Sequence, residues 1–297
     1  MPGFSLPSFA KINWSLRVLG KRDDGFHELC TVFQTVSLYD TITFAGSDDL
    51  ALTCDNPEIP VDASNLCLRA ATELRSRFNV TRGAAMHLEK RIPSPGGLGG
   101  GSSNAAVTLI GLMRLWGIDG PVADLVEIAA ALGSDVPFFL TGGTALGTGR
   151  GEIVEPLDDI DAPLMLIVTP DVGVSTVAAF ANLQAPSLTN IDSNRILRVC
   201  RYEAVSLDPH HSALINDFEA SVFSAYPEVK RVRDTLIDLG AVNAAMSGSG
   251  ASVFAIFDKQ ETRQAAQKAL EQESRWRKFA VATISRSVYR EALQIQG

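Results

Sequence analysis

Five glycines crowd the six positions Gly96–Gly101 within the run Pro93-Ser94-Pro95-Gly96-Gly97-Leu98-Gly99-Gly100-Gly101-Ser102-Ser103. Residues without a Cβ let the backbone approach a ligand closely. Immediately beyond, Ala106, Leu109, Ile110, Met113 and Trp116 recur at helical spacing, with Gly117 placed to end the helix. A helix start offers unpaired N–H groups and the positive end of a dipole, and Ser102 and Ser103 add hydroxyls, so the run reads as a site for the phosphates of a nucleotide. No Gly-Lys-Ser/Thr closes it, which excludes a Walker A loop, and Ser102 breaks the G-x-G-x-x-G fingerprint. The competing explanations, a flexible linker or a plain strand-to-helix turn, do not ask for so many glycines.

Asp135 and Lys11 gain meaning as a pair. Asp135 lies in Gly133-Ser134-Asp135-Val136-Pro137, after the helical pattern of Leu125 to Leu132, and alone it reads as an N-cap. A carboxylate that accepts a hydroxyl proton works best beside a cation that stabilises developing charge. Lys11 is the candidate: Lys11 to Val18 alternates polar and apolar residues, which predicts a strand with Lys11, Asn13 and Ser15 on one polar face. Alone, Lys11 would be a solvated strand lysine. Ser247-Gly248-Ser249-Gly250-Ala251-Ser252 is a second small-residue loop, equally readable as a turn. His27, His87, His210 and His211 show no zinc spacing, so no metal is expected to be held by protein groups alone.

These groups need elements to hold them. Thr31 to Tyr39 reads as a second strand, joined to the first through a turn at Asp24-Gly25 to make a hairpin. A helix around Leu66 to Phe78 and a short strand near Ala84 to Leu88 precede the glycine run, and Gly133 is placed to cap Leu125 to Leu132. The stretch Glu155 to Pro163 breaks periodicity, which divides the chain into domains 1–157 and 158–297. Beyond it, an apolar strand from Leu164 to Val168, a helix from Pro227 ended by Gly240, and strands at Ser252 to Phe257 and near Ala280 to Ile284 predict a sheet with helices on one face. The class is α+β in both halves.

The 297 residues, 46% hydrophobic and 20% charged, suffice for one large or two ordinary domains without staples. A net charge of -8 argues against a nucleic-acid footprint while leaving room for one local anion pocket. Cys30, Cys54, Cys67 and Cys200 show neither CxxC pairing nor metal spacing and read as reduced thiols in a cytosolic (cytoplasmic) protein. The first residues lack the marks of a secretory signal, and no apolar run reaches membrane-spanning length, so no membrane association is expected.

An early lysine strand, a P-x-x-x-G-L-G-G-G-S-S loop and a late small-residue loop, in that order, resemble the GHMP kinase superfamily. Phe9-Ala10-Lys11-Ile12-Asn13, Asp24-Gly25-Phe26-His27-Glu28 and Gly133-Ser134-Asp135-Val136-Pro137-Phe138-Phe139 narrow the resemblance, almost end to end, to a branch acting on a cytidylyl-linked polyol of the non-mevalonate isoprenoid route. The resemblance implies a two-domain GHMP kinase architecture: an N-terminal ribosomal-protein-S5-domain-2-like lobe for ATP and catalysis, and a ferredoxin-like C-terminal lobe completing the substrate cleft. It implies ATP-dependent phosphorylation of the polyol's 2-hydroxyl, with ATP as co-substrate and Mg²⁺, Asp135 as base and Lys11 as its partner. Pro93 through Ser103, with Asn65 and Lys90, would hold ATP. Asn13, Phe26, His27 and Phe180 would hold the cytidylyl group, and Ser103 is the candidate Mg²⁺ ligand. Two positions depart from the pattern: Phe26 stands where tyrosine is common, and Pro95 where glycine is, removing one hydroxyl and one N–H donor.

Two other readings compete. A GHMP kinase for mevalonate, homoserine or a sugar would keep the phosphate loop without Gly25-Phe26-His27. A non-catalytic nucleotide or metabolite sensor would lack Lys11 or Asp135, and both are present.

Overall fold

The computed structural model describes residues 3–183 and 190–295. The first two strands, β1 (Phe4–Lys21) and β2 (His27–Ser47), form the antiparallel hairpin that the alternation predicts, but each runs well beyond it. Bulges between Phe9 and Ala10, Asn13 and Ser15, and Val18 and Gly20 break the period of two, which hides the true length from a pattern search. Asp24 closes the turn by accepting the Phe26 N–H at 3.1 Å.

Next come β3 (Leu50–Cys54), α1 (Leu66–Arg77), β4 (Gly83–Glu89), α2 (Gly100–Trp116), α3 (Val122–Leu132), α4 (Phe138–Thr141), β5 (Thr144–Gly149) and β6 (Ile153–Pro156). They complete a six-stranded sheet in the order β3-β4-β2-β5-β6, with β1 along the other edge of β2. Helix α2 begins at Gly100, earlier than the apolar periodicity indicates, so two glycines of the loop belong to its first turn. Gly117 ends it in the left-handed conformation, as expected, whereas Gly133 closes α3 with extended backbone. At Gly111 a Cβ would lie 2.4 Å from the Phe44 ring, which shows how closely α2 is pressed onto β2.

The second half supplies β7 (Met165–Pro170), α5 (Thr176–Asn182), α6 (Asn190–Val205), α7 (Glu219–Ala225), α8 (Pro227–Asp238), β8 (Asn243–Met246), β9 (Val253–Ile256), α9 (Gln260–Ala269), β10 (Trp276–Val281) and α10 (Arg286–Ala292). The sheet order is β10-β7-β9-β8, antiparallel throughout, with helices bridging β7 to β8 and β9 to β10. That is a ferredoxin-like arrangement. The last strand ends at Val281, three residues short of the Ile284 that the sequence pattern indicates.

Helices cover one face of this sheet, as the pattern predicts, and β1 covers the other. Leu166 and Val168 pack with Val229, Val232 and Leu236 of α8, while Met165 and Ile167 face Ile12 and Trp14 of β1. Burial on both faces explains why β7 reads as an unbroken apolar run. The chain then returns: Tyr289 and Leu293 join the core of the first lobe beneath α2. No helix among the described residues is long and apolar enough to cross a membrane.

Candidate active site

A cleft of about 650 Å³ opens where the glycine run, β1, the β1–β2 turn, the segment before α4 and the late small-residue loop meet. Lys11 projects into it from a buried position on β1, and its Nζ lies 3.4 Å from Asp135 Oδ2, whose side chain is one-third exposed. The same ammonium donates to Asn13 Oδ1 at 2.7 Å, and Asn13 Nδ2 donates to Thr31 Oγ1 at 2.7 Å. The lysine is therefore held by a short relay, and its Nζ lies 5.7 Å from the Phe33 ring centroid. Ser15 does not share this face: after the bulge at Asn13/Ser15 it is Leu16 that lines the cleft.

The glycine loop is stitched in place from two sides. Lys11 N–H donates to Leu98 O at 2.9 Å, tying the crest to β1. Ser247 Oγ donates to Gly97 O at 2.9 Å and Ser252 N–H to Gly96 O at 3.2 Å, so the late loop packs directly on the early one. Gly97 has φ +72°, and a Cβ there would stand 2.1 Å from Ser247 O. Gly99, at φ +69°, would press a Cβ to 2.9 Å from both Lys11 Cγ and Phe139 Cζ. These two glycines are fixed by backbone conformation and by close approach together.

At the far end, His27 and Phe180 stack on each other at 5.1 Å between ring centroids, and Phe218 meets Phe180 edge-on at 4.8 Å. Burial, with Lys21 nearby, holds the His27 imidazole below the usual histidine range. Phe26 is half exposed, and the Arg150 guanidinium lies 4.7 Å from its ring centroid. Arg150 lines the cleft, although the sequence does not single it out. It lies between Gly149 and Gly151, a faint signal, and its position beside Phe26 comes only from the pairing of β5 with β2.

Of the residues expected at the site, Lys11, Asn13, Phe26, His27, Asp135, Phe180 and the run Pro93 to Ser102 line one cleft. Three do not. Asn65 caps α1, accepting Cys67 N–H at 2.8 Å and donating to Pro60 O at 2.6 Å. Lys90 turns away into a buried ion pair with Asp40 at 2.6 Å. Ser103 is buried beneath the loop and accepts from Ser8 Oγ at 2.8 Å.

The arrangement joins an anion-binding helix start, a buried ammonium and a solvent-reachable carboxylate, with a π-rich slot beyond them. It can hold a polyphosphate, orient an alcohol and accept its proton.

The GHMP kinases N terminal domain family matches residues 65–143, and the GHMP kinases C terminal family matches residues 206–275. The 4-diphosphocytidyl-2-C-methyl-D-erythritol kinase of Chlorobium phaeobacteroides is 44% identical over 87% of this chain and 91% of its own length. That of Chlorobium chlorochromatii is 41% identical over 89% and 91%. Among solved structures, a crystal structure of 4-(cytidine 5'-diphospho)-2C-methyl-D-erythritol kinase matches with a TM-score of 0.75 at 30% identity, covering 95% of this chain and all of that one. Homoserine kinase from Cytophaga hutchinsonii matches with a TM-score of 0.71 at 21% identity over 96% of each chain, a likeness of fold alone.

Proposed function

The chain belongs to the 4-diphosphocytidyl-2-C-methyl-D-erythritol kinases of the GHMP kinase group, and on that premise we propose that it transfers the γ-phosphoryl group of ATP to the 2-hydroxyl of that cytidylyl polyol. It is a small-molecule kinase with ATP as co-substrate. The observation that carries the residue-level reading is the 3.4 Å approach of Lys11 Nζ to Asp135 Oδ2 beside the glycine loop.

In this reading Asp135 takes the hydroxyl proton while the alcohol oxygen bonds to the γ-phosphorus and the bond to the β–γ bridging oxygen breaks, releasing ADP. Lys11, fixed by Asn13, stabilises the carboxylate and the charge that builds on the transferring group. Because phosphoryl transfer asks mainly for alignment and charge neutralisation, a positioned loop and pair suffice without a covalent intermediate. The N–H groups at the start of α2 receive the phosphates, and Asn13, Phe26, His27 and Phe180 receive the cytidylyl group, with Arg150 near the diphosphate.

Mg²⁺ would arrive with ATP, since such ions usually keep several waters and bind through few protein groups plus substrate phosphates. The donors present fit that role: one reachable carboxylate at Asp135 and the cleft-lining hydroxyl of Ser102, while Ser103, expected from the sequence as the ligand, is buried beneath the loop against Ser8. It would neutralise charge on the γ-phosphate. A cytoplasmic setting, and a division into an ATP-binding domain over residues 1–157 and a cleft-completing domain over residues 158–297, belong to the same reading.

The test is an ADP-release assay with Mg²⁺-ATP, offering the cytidylyl polyol, mevalonate, homoserine and galactose, with Asp135→Asn as the blank. Turnover of the cytidylyl compound alone, lost in the blank while ATP still binds, is the expected result. Preference for another alcohol would refute the substrate, and an active blank would remove Asp135 from the mechanism.

A further inference from the structure

Beneath the glycine loop lies a carboxylate that phosphoryl transfer leaves unused. Asp40 on β2 is wholly buried. Its Oδ1 accepts the N–H groups of Arg91 at 2.7 Å and Ile92 at 2.8 Å, the two residues before Pro93. Its Oδ2 accepts Lys90 Nζ at 2.6 Å and Asn104 Nδ2 at 3.0 Å. Asn104 Nδ2 also donates to Ser8 Oγ at 2.9 Å, and Ser8 Oγ donates to Ser103 Oγ at 2.8 Å. One carboxylate thus grips the chain where it runs into the loop and, through Asn104 and Ser8, the first turn of α2 where the chain leaves it.

A buried carboxylate survives only when paired and hydrogen-bonded, and Lys90 supplies the compensating charge. The placement of the donors carries the argument. They come from both ends of a glycine-rich segment whose backbone has unusual freedom, and ordering that segment opposes ligand binding. Anchoring both ends beforehand removes much of this penalty.

We propose that Asp40 is a positioning residue for the nucleotide. It clamps the two ends of the loop so that the N–H groups of α2 are aimed at the phosphates before ATP arrives. Lys90 then serves as the counter-ion of Asp40, which accounts for its turning away from the cleft. The inference deepens the kinase reading and rests on it for the identity of the anion.

Ser8→Ala deletes the hydroxyl link to Ser103 with little change of shape, and Asp40→Asn removes the charge at nearly constant volume. Binding of a non-hydrolysable ATP analogue is measured by calorimetry, alongside Tm, kcat and both KM values. Ser8→Ala is expected to weaken nucleotide binding about tenfold and Asp40→Asn more, with KM for the cytidylyl substrate and kcat at saturating ATP within about twofold. The double variant should bind no more weakly than Asp40→Asn, because both act through one chain of bonds. Ser5→Ala, on the same strand as Ser8 but with an exposed hydroxyl that meets Thr43 of β2 at 2.8 Å, should bind as wild type. Should Asp40→Asn fail to fold, Ser8→Ala alone decides. Unchanged nucleotide affinity in Ser8→Ala, or equal weakening for both substrates, overturns the assignment. A wild-type protein that does not bind the analogue overturns the kinase reading, and the clamp with it.

Discussion

Lys11 and Asp135 come from distant parts of the first lobe, and their proximity is meaningful only if each depends on the other. Groups that act as a unit lose their effect together. Lys11→Met and Asp135→Asn are each expected to lower kcat by about 10²–10⁴, with the double variant no worse than the poorer single one. Single-turnover rates at saturating ATP measure this, and additive losses would assign the two residues separate roles. A second expectation concerns Phe180, which here stacks on His27 at 5.1 Å. Phe180→Ala should raise KM for the cytidylyl substrate by the equivalent of about 1–3 kcal/mol and leave KM for ATP nearly unchanged. Equal effects on both substrates would undo the pocket assignment. The glycine run is legible in the sequence because its residue type carries its chemistry with it, whereas Lys11 and Asp135, bland when read singly, gain meaning only as a pair and through the family resemblance. The sequence could not show Asp40, whose partners Arg91, Ile92 and Asn104 assemble only when α2 packs on β2. Nor could it distinguish Asn65 as a helix cap from Asn65 as a nucleotide ligand, since the same amide serves either end.

Elements carry their own tests, because the loop and the helix that follows share glycines with opposite requirements. Gly97 has φ +72° and no room for a Cβ, while Gly101 lies in the first turn of α2 with nothing nearer its Cβ position than Leu66 Cδ1 at 3.7 Å. Gly97→Ala should therefore abolish tight nucleotide binding. Gly101→Ala should raise stability by up to about 1 kcal/mol through helix propensity while raising KM for ATP, because it faces the cleft. Thermal unfolding and ATP titration of the two variants separate these effects, and a fall in Tm for Gly101→Ala would contradict them. Elsewhere, Glu219 on α7 accepts Met246 N–H at 2.8 Å below the late loop, and burial pushes its carboxyl above its ordinary value of 4.5. A raised carboxyl favours the protonated folded state, so this contribution is present below pH 4.5 and is lost as pH rises through the folded value. Glu219→Gln keeps an acceptor for Met246 and should be more stable than wild type at pH 8 but not at pH 4, as urea midpoints would read. An identical pH dependence in both proteins would dismiss it. Pattern alone finds α1, α2, α8 and the start of the hairpin, where periodicity is sustained. It misses β5, which is buried along its whole length yet built as Thr-Ala-Leu-Gly-Thr-Gly, because close packing there replaces apolar bulk.

Among the described residues the molecule has two sheets, and one buried cluster is shared between them. Ile12 and Trp14 from β1 share one buried cluster with Met165, Ile167, Phe254 and Ile256 from the second sheet, and Trp14 meets Phe254 edge-on at 5.3 Å. The chain also recrosses: Tyr289, from the last helix, is buried in the first lobe and donates to Phe139 O at 2.5 Å. β6 of the first sheet ends at Pro156 and β7 of the second begins at Met165, so the stretch between them carries the chain from one sheet to the other. The shared cluster could not be read, since an apolar strand does not announce which sheet its second face will meet. Its consequence is thermodynamic. Opening the lobes would expose apolar surface on both sides at about 25 cal/mol per Å², which couples the stability of each half to that of the other. The protein should then unfold in one cooperative step despite its size. Trp14 reports the shared core, Trp116 the first lobe and Trp276 the second, so intrinsic fluorescence samples all three regions while far-UV dichroism follows the backbone. The two urea curves are expected to coincide, and Phe254→Ala should shift both together by about 3–5 kcal/mol. Separate transitions, or a Phe254→Ala shift confined to one of them, would mean that the lobes hold themselves together and that the cleft between them opens without disturbing either core.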